Sequence, residues 1–304
     1  MENKNNFIII DSNSVIHRAF HALPPLKRKD GIIVNAVYGF LLVLFKLLKD
    51  LEPKYFVACF DLPETTFRKK MFSEYKAQRK KAPDELYNQI PMVKDVLKKF
   101  NVPIFEKSGY EGDDIIGTLT EFLTKEKDTK NIIVSGDMDN LQLINEKTFV
   151  YFLNKGVKNV VLCDENSVKE KYCGLSPKQL IDYKGLRGDS SDNIPGVKGI
   201  GEKTALDLIK EFGGIDNLYK KIENNEDNLS KKIKEKLIND KKIALLSREL
   251  SEIKKDVPLD INIKDCEWGG YNDQEVIKML ESFGFNSLIK NLSLNPIGEN
   301  LKLW

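Results

Sequence analysis

The chain has 304 residues, with 48 Lys and Arg against 46 Asp and Glu, a formal charge of +2 and 41% hydrophobic residues. That length and apolar content suit about two globular domains needing no covalent staple, and the balanced charge excludes a polyanionic or polycationic tail. Cys59, Cys163, Cys173 and Cys266 form no C-x-x-C pair, and His17 and His21 have no cysteine near them in sequence, which argues against structural zinc and against a disulfide framework.

The polar lead Met1 to Asn6 is too short for a signal peptide. Val37 to Phe45 is the longest apolar stretch and ends far short of the roughly 20 residues of a membrane span. A cytoplasmic, monomeric protein with no membrane partner is expected. Continuous apolar runs at Phe7–Ile10, Tyr55–Phe60, Val102–Phe105, Asn131–Val134 and Thr148–Phe152 predict strands buried on both faces. Helical spacing runs through Ala36–Lys49, Asp84–Phe100 and Asp113–Lys125, with Pro91 either kinking the second or sitting in its first turn. This alternation predicts an α/β fold with a mainly parallel central sheet flanked by helices.

Past residue 165 no further strand is expected. Ser176-Pro177 opens a helix, Glu202–Phe212 is a helix ended by Gly213-Gly214, and Lys221–Lys242 is exposed helix broken by a loop near Asn224–Asn228. The expected division is an α/β core over 1–165 and a helical region over 166–304.

The acids fall where chemistry would want them. Asp11 follows the first strand, Asp61 the second, and Asp137 and Asp139 follow the fourth through Ser135-Gly136. In an open α/β sheet the carboxyl ends of the strands face one crevice. Glu111, Asp113 and Asp114 open the next helix, and Asp189 and Asp192 stand three apart in the helical region. These nine carboxylates in one cleft would repel one another unless cations lay among them, and oxygen donors select Mg²⁺ or Mn²⁺. Two such ions clamp an in-line displacement at phosphorus. Each acid taken singly is equally a helix cap, a turn residue or a surface charge. Four segments ending at one edge favour the metal reading.

Two stretches could meet a polyanion. Residues 67–81, FRKKMFSEYKAQRKK, carry Arg68, Lys69, Lys70, Lys76, Arg79, Lys80 and Lys81 with Phe67, Phe72 and Tyr75 between them. That mixture suits phosphates and unpaired bases, although a charge run is often only a solvated helix face. In Ile194–Ala205, Gly196, Gly199 and Gly201 form a tight turn into a helix, with Lys198 and Lys203 beside it. Its amides could approach a phosphate, and the order of its glycines fits neither a P-loop nor a dinucleotide fingerprint.

Taken together, Asp11–Leu23, Val37–Phe40, Phe60-Asp61 with Phe67-Arg68 and Tyr75-Lys76, Gly109–Asp114, Ser135–Asp139 and Gly188–Gly201 resemble the 5′ nuclease domain of bacterial DNA polymerase I, in the flap-endonuclease superfamily. Gly112 replaces the family's usual Ala. The resemblance implies a PIN-like core with a helical arch near 65–85 and a helix-hairpin-helix element near 185–215. It implies a structure-specific 5′-3′ exonuclease and flap endonuclease for DNA and RNA primers, acting at 5′ flaps, nicks, gaps and RNA–DNA junctions in replication and repair. Asp11, Asp61, Glu111, Asp113 and Asp114 map onto its first metal site, and Asp137, Asp139, Asp189 and Asp192 onto its second. Arg68 and Lys76 map near the scissile phosphate and Tyr75 onto a base-stacking position; Arg79, Gly196, Lys198, Gly199, Gly201 and Lys203 are the further expected DNA contacts. Potassium held by backbone carbonyls is expected at the hairpin. With Trp304 as its last residue, the chain is expected to be a free-standing nuclease or a fragment, with a DNA polymerase as a partner acting in trans. Two other readings are a non-catalytic branched-DNA-binding protein and a PIN-like ribonuclease. Setting the nine acids aside leaves 37 of the 46 against 48 basic residues, so the rest of the chain carries +11.

Overall fold

The structure, a computed structural model, describes residues 5–294 except 127, 155, 157 and 158. Residues 1–4 of the expected polar lead and residues 295–304 of the expected helical region lie outside the described residues. Among the described residues six strands, β1 (Asn5–Asp11), β2 (Tyr55–Cys59), β3 (Ile104–Phe105), β4 (Thr129–Ser135), β5 (Thr148–Leu153) and β6 (Val160–Cys163), form one sheet in the order β3-β2-β1-β4-β5-β6. Every pairing is parallel except β5 with β6, which confirms the mainly parallel expectation. The sequence reading missed β6. It is a four-residue antiparallel edge strand whose Val161 and Leu162 are exposed, so it lacks the doubly buried character that marked the others.

Helices α1 (Ser12–Ala22), α2 (Asn35–Leu51), α3 (Phe67–Met71), α4 (Asp84–Tyr87), α5 (Gln89–Lys99) and α6 (Gly112–Leu123) lie between the first four strands. Pro91 occupies the third position of α5, where its missing N–H has no intrahelical partner to lose, and the expected long helix breaks at Asn88 instead. Along β1, Ile8 and Ile10 face α1, α2 and α5, while Phe7 and Ile9 face α6. Every second residue of one strand thus serves a different core, which is why these runs are apolar throughout. Each fully buried Ile or Phe here is worth about 1.5–3 kcal/mol.

The remaining helices are α7 (Glu165–Lys171), α8 (Gln179–Arg187), α9 (Glu202–Phe212), α10 (Ile215–Glu223), α11 (Lys231–Asn239), α12 (Lys241–Ser251), α13 (Asp273–Phe283) and α14 (Asn286–Leu294). Helix α9 has the expected bounds, and Gly213 ends it in the left-handed region at φ 80°. Helices α8 to α12 share their own core around Leu186, Ile209, Leu218 and Leu237. The chain then returns: Ile253 joins the α6 side of the sheet, and Trp268, Val276, Leu280 and Phe285 join the α2 side. Among the described residues these five therefore pack on the sheet rather than with α8 to α12.

The strand order fixes the site. From β1 the chain moves outward to β2 and β3, then crosses back through α6 to β4 on the other side of β1. The reversal opens a crevice at the carboxyl ends of β1 and β4.

Candidate metal centre and nucleic-acid interface

A cleft of about 520 Å³ occupies that crevice, and Asp11, Asp61, Glu111, Asp113, Asp137 and Asp192 line it with Lys76 and Arg79. Asp11 ends β1 and caps α1, accepting from the Ser14 amide at 3.1 Å and the Ser135 hydroxyl at 2.6 Å. Asp61 accepts the Gly112 amide at 2.6 Å. A Cβ at Gly112 would stand 3.2 Å from the same Asp61 oxygen, so the missing methyl gives this bond its room. Asp113 accepts from the Asn140 side chain at 2.9 Å, and Asp137 reaches the cleft through the turn after β4.

Charge crowding shows in the proton affinities. Burial, with repulsion from Asp61 and Asp137, pushes Asp11 up to about 7 against the Ser135 and Ser14 donors. Burial first, then Asp11, Asp137 and Asp61, drives Asp113 well above the usual carboxylate range. Asp61 is raised by burial against the Gly112 amide. Such a cleft favours cations, and its carboxylate oxygens fit a hard divalent ion. Among the described residues no three Asp, Glu, His or Cys side chains converge closely enough to hold one ion as placed, so binding requires carboxylates to turn inward.

The protein's own cations hold several acids meanwhile. Lys76 donates to Glu111 at 2.9 Å, and Arg79 bonds Asp192. The Tyr75 hydroxyl donates to Glu111 at 3.1 Å and to Asp192 at 3.2 Å. The Lys76 amide donates to the Asp192 carbonyl at 2.9 Å while Lys76 itself sits in the left-handed region at φ 55°, a conformation costing about 1–2 kcal/mol. This places a strained residue against the cleft.

Three expected site residues lie buried instead of facing the open cleft. Asp114, expected as a metal ligand, is fully buried and does not line the cleft. Arg68 grips both its oxygens at 2.7 Å, and the amides of Glu111 and Lys254 donate to it at 3.0 and 2.9 Å. The Arg68 fork turns Asp114 inward, away from the cleft that Asp113 lines. Arg68, expected near the scissile phosphate, is only 2% exposed and also donates to the carbonyls of Leu250 and Glu252 at 2.9 and 2.6 Å. Tyr75, expected to stack on a base, is 4% exposed, with its hydroxyl engaged as above. Of the segment expected as a helical arch, α3 and the start of α4 are helical; residues 72–83 are turn and irregular backbone.

Asp139 and Asp189 also stand apart from the cleft lining, bridged by Lys184. Burial would raise Asp189, but the Lys184 ammonium and the Ser191 donors override it and hold the carboxyl at about 2. Asp189 and Asp192 lie in a turn closed by paired backbone bonds between Asp189 and Ile194, and their side chains bond Lys184 and Arg79 respectively. At the hairpin, Gly196 (φ 63°) presses on the backbone of Arg187 and Gly188, where a Cβ would fall 2.3 Å from the Gly188 nitrogen. Gly199 (φ 78°), Lys198, Gly201 and Lys203 are exposed, and Gly201 begins α9. The Gly199 carbonyl accepts from Lys236 at 2.7 Å and the Val197 carbonyl from the Ile200 amide, each keeping a second lone pair.

Sequence reasoning missed Ser14, His17, Arg18 and His21, which line the cleft from α1. Their spacing of three, four and seven puts them on one helix face, a signal present in the sequence once Asp11 is taken as the cap. Lys184 and Asn140 carried no such signal, because Asp139 and Asp113 lie 45 and 27 residues from them in the chain.

Comparison with known proteins accords with this geometry. The description "5′-3′ exonuclease, N-terminal resolvase-like domain" matches residues 6–173, and "5′-3′ exonuclease, C-terminal SAM fold" matches 175–274. The chain belongs to the 5′-3′ exonuclease family. DNA polymerase I of Bacillus subtilis (strain 168) is 43% identical over 96% of this chain and 33% of its own length. That of Bacillus caldotenax is 40% identical over 98% of this chain and again 33% of its own. The chain thus spans about a third of the length of these curated relatives. Among solved structures, T5 5′-exonuclease described with divalent zinc bound is similar at TM-score 0.66 and 21% identity, covering 97% of this chain and 100% of that one. The catalytic core of Rad2 in complex with DNA substrate is similar at 0.58 and 19%, covering 92% and 87%. At such identities these two show the shared fold. No helix among the described residues is long and apolar enough to cross a membrane.

Proposed function

We propose that the chain is a structure-specific 5′-3′ nuclease that hydrolyses DNA and RNA-primer phosphodiesters near 5′ ends at flaps, nicks and gaps. The observation that carries this is the gathering of Asp11, Asp61 and Asp137 from the strand ends and Asp113 from the start of α6 in one cleft whose rim bears Lys76 and Arg79. Because Asp137, which the resemblance maps to the second site, lines the cleft with Asp11, Asp61 and Asp113, these four are the residues to hold a first divalent ion, Mg²⁺ or Mn²⁺, with Glu111 beside them. Asp139, Asp189 and Asp192 are those for a second. When bound, the ions supply an activated water and charge neutralisation at phosphorus. Lys76 and Arg79, released from Glu111 and Asp192 as substrate arrives, position the scissile phosphate and stabilise its developing charge. The Ser14, Arg18 and His17 face of α1 closes the opposite wall. Lys198, Lys203 and the amides opening α9 hold the duplex backbone, with a potassium ion a further ligand of this turn. A DNA polymerase is the partner activity.

The test incubates the chain with a labelled 5′-flap duplex and Mg²⁺. Asp61→Ala and Asp137→Ala are expected to lower cleavage at least about 10³-fold while flap binding persists, as for groups acting in the transition state. Undiminished cleavage by both variants, or none by the parent, would sink the proposal; flap binding without turnover would favour the non-catalytic reading. Lys198→Ala is expected to weaken duplex binding and to reduce the slope of log K against log salt by about one. An unchanged slope counts against a phosphate contact there.

A further inference from the structure

Nothing in that scheme uses Lys184. It lies in the last turn of α8, and its ammonium bonds Asp139 Oδ1 and stands 2.7 Å from Asp189 Oδ2. Its own side chain is 14% exposed, and Asp139 and Asp189 are 21% and 15% exposed. A single positive charge therefore bridges two carboxylates from segments 50 residues apart in the chain, at the place proposed for the second ion. The bridge is built rather than incidental. Asp189 is oriented by the Ser191 amide at 2.9 Å and hydroxyl at 2.6 Å, Asp139 follows the capping Asp137, and the stem of Lys184 leaves α8 beside the buried Tyr183 and Leu186. The first-ion acids have no comparable clamp: Asp11, Asp61, Asp113 and Asp137 make no salt bridge among the described residues, whereas Asp139 and Asp189 share one ammonium.

We propose that Lys184 is a resident counter-cation that sets the order of metal loading. One divalent ion binds at Asp11, Asp61, Asp113 and Asp137 with Lys184 in place; a second enters at Asp139 and Asp189 only as Lys184 withdraws on its flexible four-carbon stem. An ammonium and a divalent ion compete for the same oxygens, so the second affinity is lowered by whatever the bridge contributes. The arrangement keeps an unpaired pair of carboxylates from repelling in the metal-free chain and makes the second ion the weaker one. This rests on the two-ion reading above and deepens it.

The experiment counts bound Mn²⁺ without DNA, by calorimetry and electron paramagnetic resonance, on the whole chain as wild type, Lys184→Met and Lys184→Arg. Wild type should bind one ion tightly and one weakly. Lys184→Met keeps the stem and removes the charge, and should tighten the weaker ion by about tenfold or more, as expected for loss of a close competing charge. Lys184→Arg should resemble wild type, and the tighter ion should be the same in all three. An unchanged or weakened second ion in a folded Lys184→Met overturns the proposal. If no protein binds even the first ion, the metal reading itself has failed, which is a distinguishable result. Should Lys184→Met not fold, the ammonium resonance of Lys184 in wild type decides: it should shift with the second equivalent of Mg²⁺, and a shift with the first, or none, overturns the proposal.

Discussion

Asp113→Asn should abolish cleavage, by about 10³-fold or more, and yet make the metal-free protein more stable. Asp113 is a buried carboxylate whose charge is opposed by burial and by Asp11, Asp137 and Asp61. Asparagine keeps the acceptor that Asn140 uses at 2.9 Å and removes the charge. A gain of about 1–2 kcal/mol corresponds to a melting temperature several degrees higher in a protein of this size. In EDTA the variant should therefore melt above wild type. In saturating Mg²⁺ the order should reverse, because only the wild type keeps the full ligand set and the added stability of a bound ion. The pH profile carries the same sign. The folded value of Asp11 is raised from 3.8 to about 7, so its contribution to stability is fully present below about 3.8 and lost as pH rises through about 7. Metal-free wild type should accordingly lose stability over that window, and Mg²⁺ should flatten the loss. A variant no more stable than wild type in EDTA, or a metal-free profile rising with pH, would show that the cleft is not charge-strained.

Much of this cleft was legible before any coordinates. Asp11, Asp61 and Asp137 each follow a run too apolar to be anything but a doubly buried strand, and the sheet rule then sends all three to one edge. What sequence could not show is which charges neutralise which. Arg68 finds Asp114 and the carbonyls at the end of α12, Tyr75 finds Asp192, and Lys184 finds Asp139; each pairing spans tens of residues and leaves no local period. Residues 67–81 thus read as a solvent-facing strip although Arg68 and Tyr75 are buried within it. Asp114 belongs with these pairings, since the Arg68 fork that turns it inward comes from 46 residues away. The charge balance gains a physical meaning from these pairings. The near-neutral total of +2 conceals a basic body around an acidic cleft, and in the metal-free chain part of that body folds inward to cover the acids.

Arg68→Ala should be lost to unfolding before it can report on chemistry. Its guanidinium forks onto Asp114 and ties α3 to the first turn of α6 and to the segment after α12. Removing it leaves a fully buried carboxylate with only the amides of Glu111 and Lys254, a loss of about 3–5 kcal/mol and a fall in melting temperature of roughly 10 °C. Arg68→Lys keeps the charge without the planar fork and should recover only part of this. The double variant Arg68→Met, Asp114→Leu removes both charges and should regain most of the stability, because a well-packed apolar pair can replace a buried ion pair. These outcomes separate two roles. If Arg68 supports the fold, the double variant restores cleavage along with melting temperature, since neither side chain touches the phosphate. If Arg68 instead reaches the scissile phosphate, as the family resemblance implies, Arg68→Ala keeps its melting temperature and loses single-turnover rate, and the double variant stays inactive however well it folds. The bidentate grip at 2.7 Å and the 2% exposure of Arg68 place the expectation on the first result.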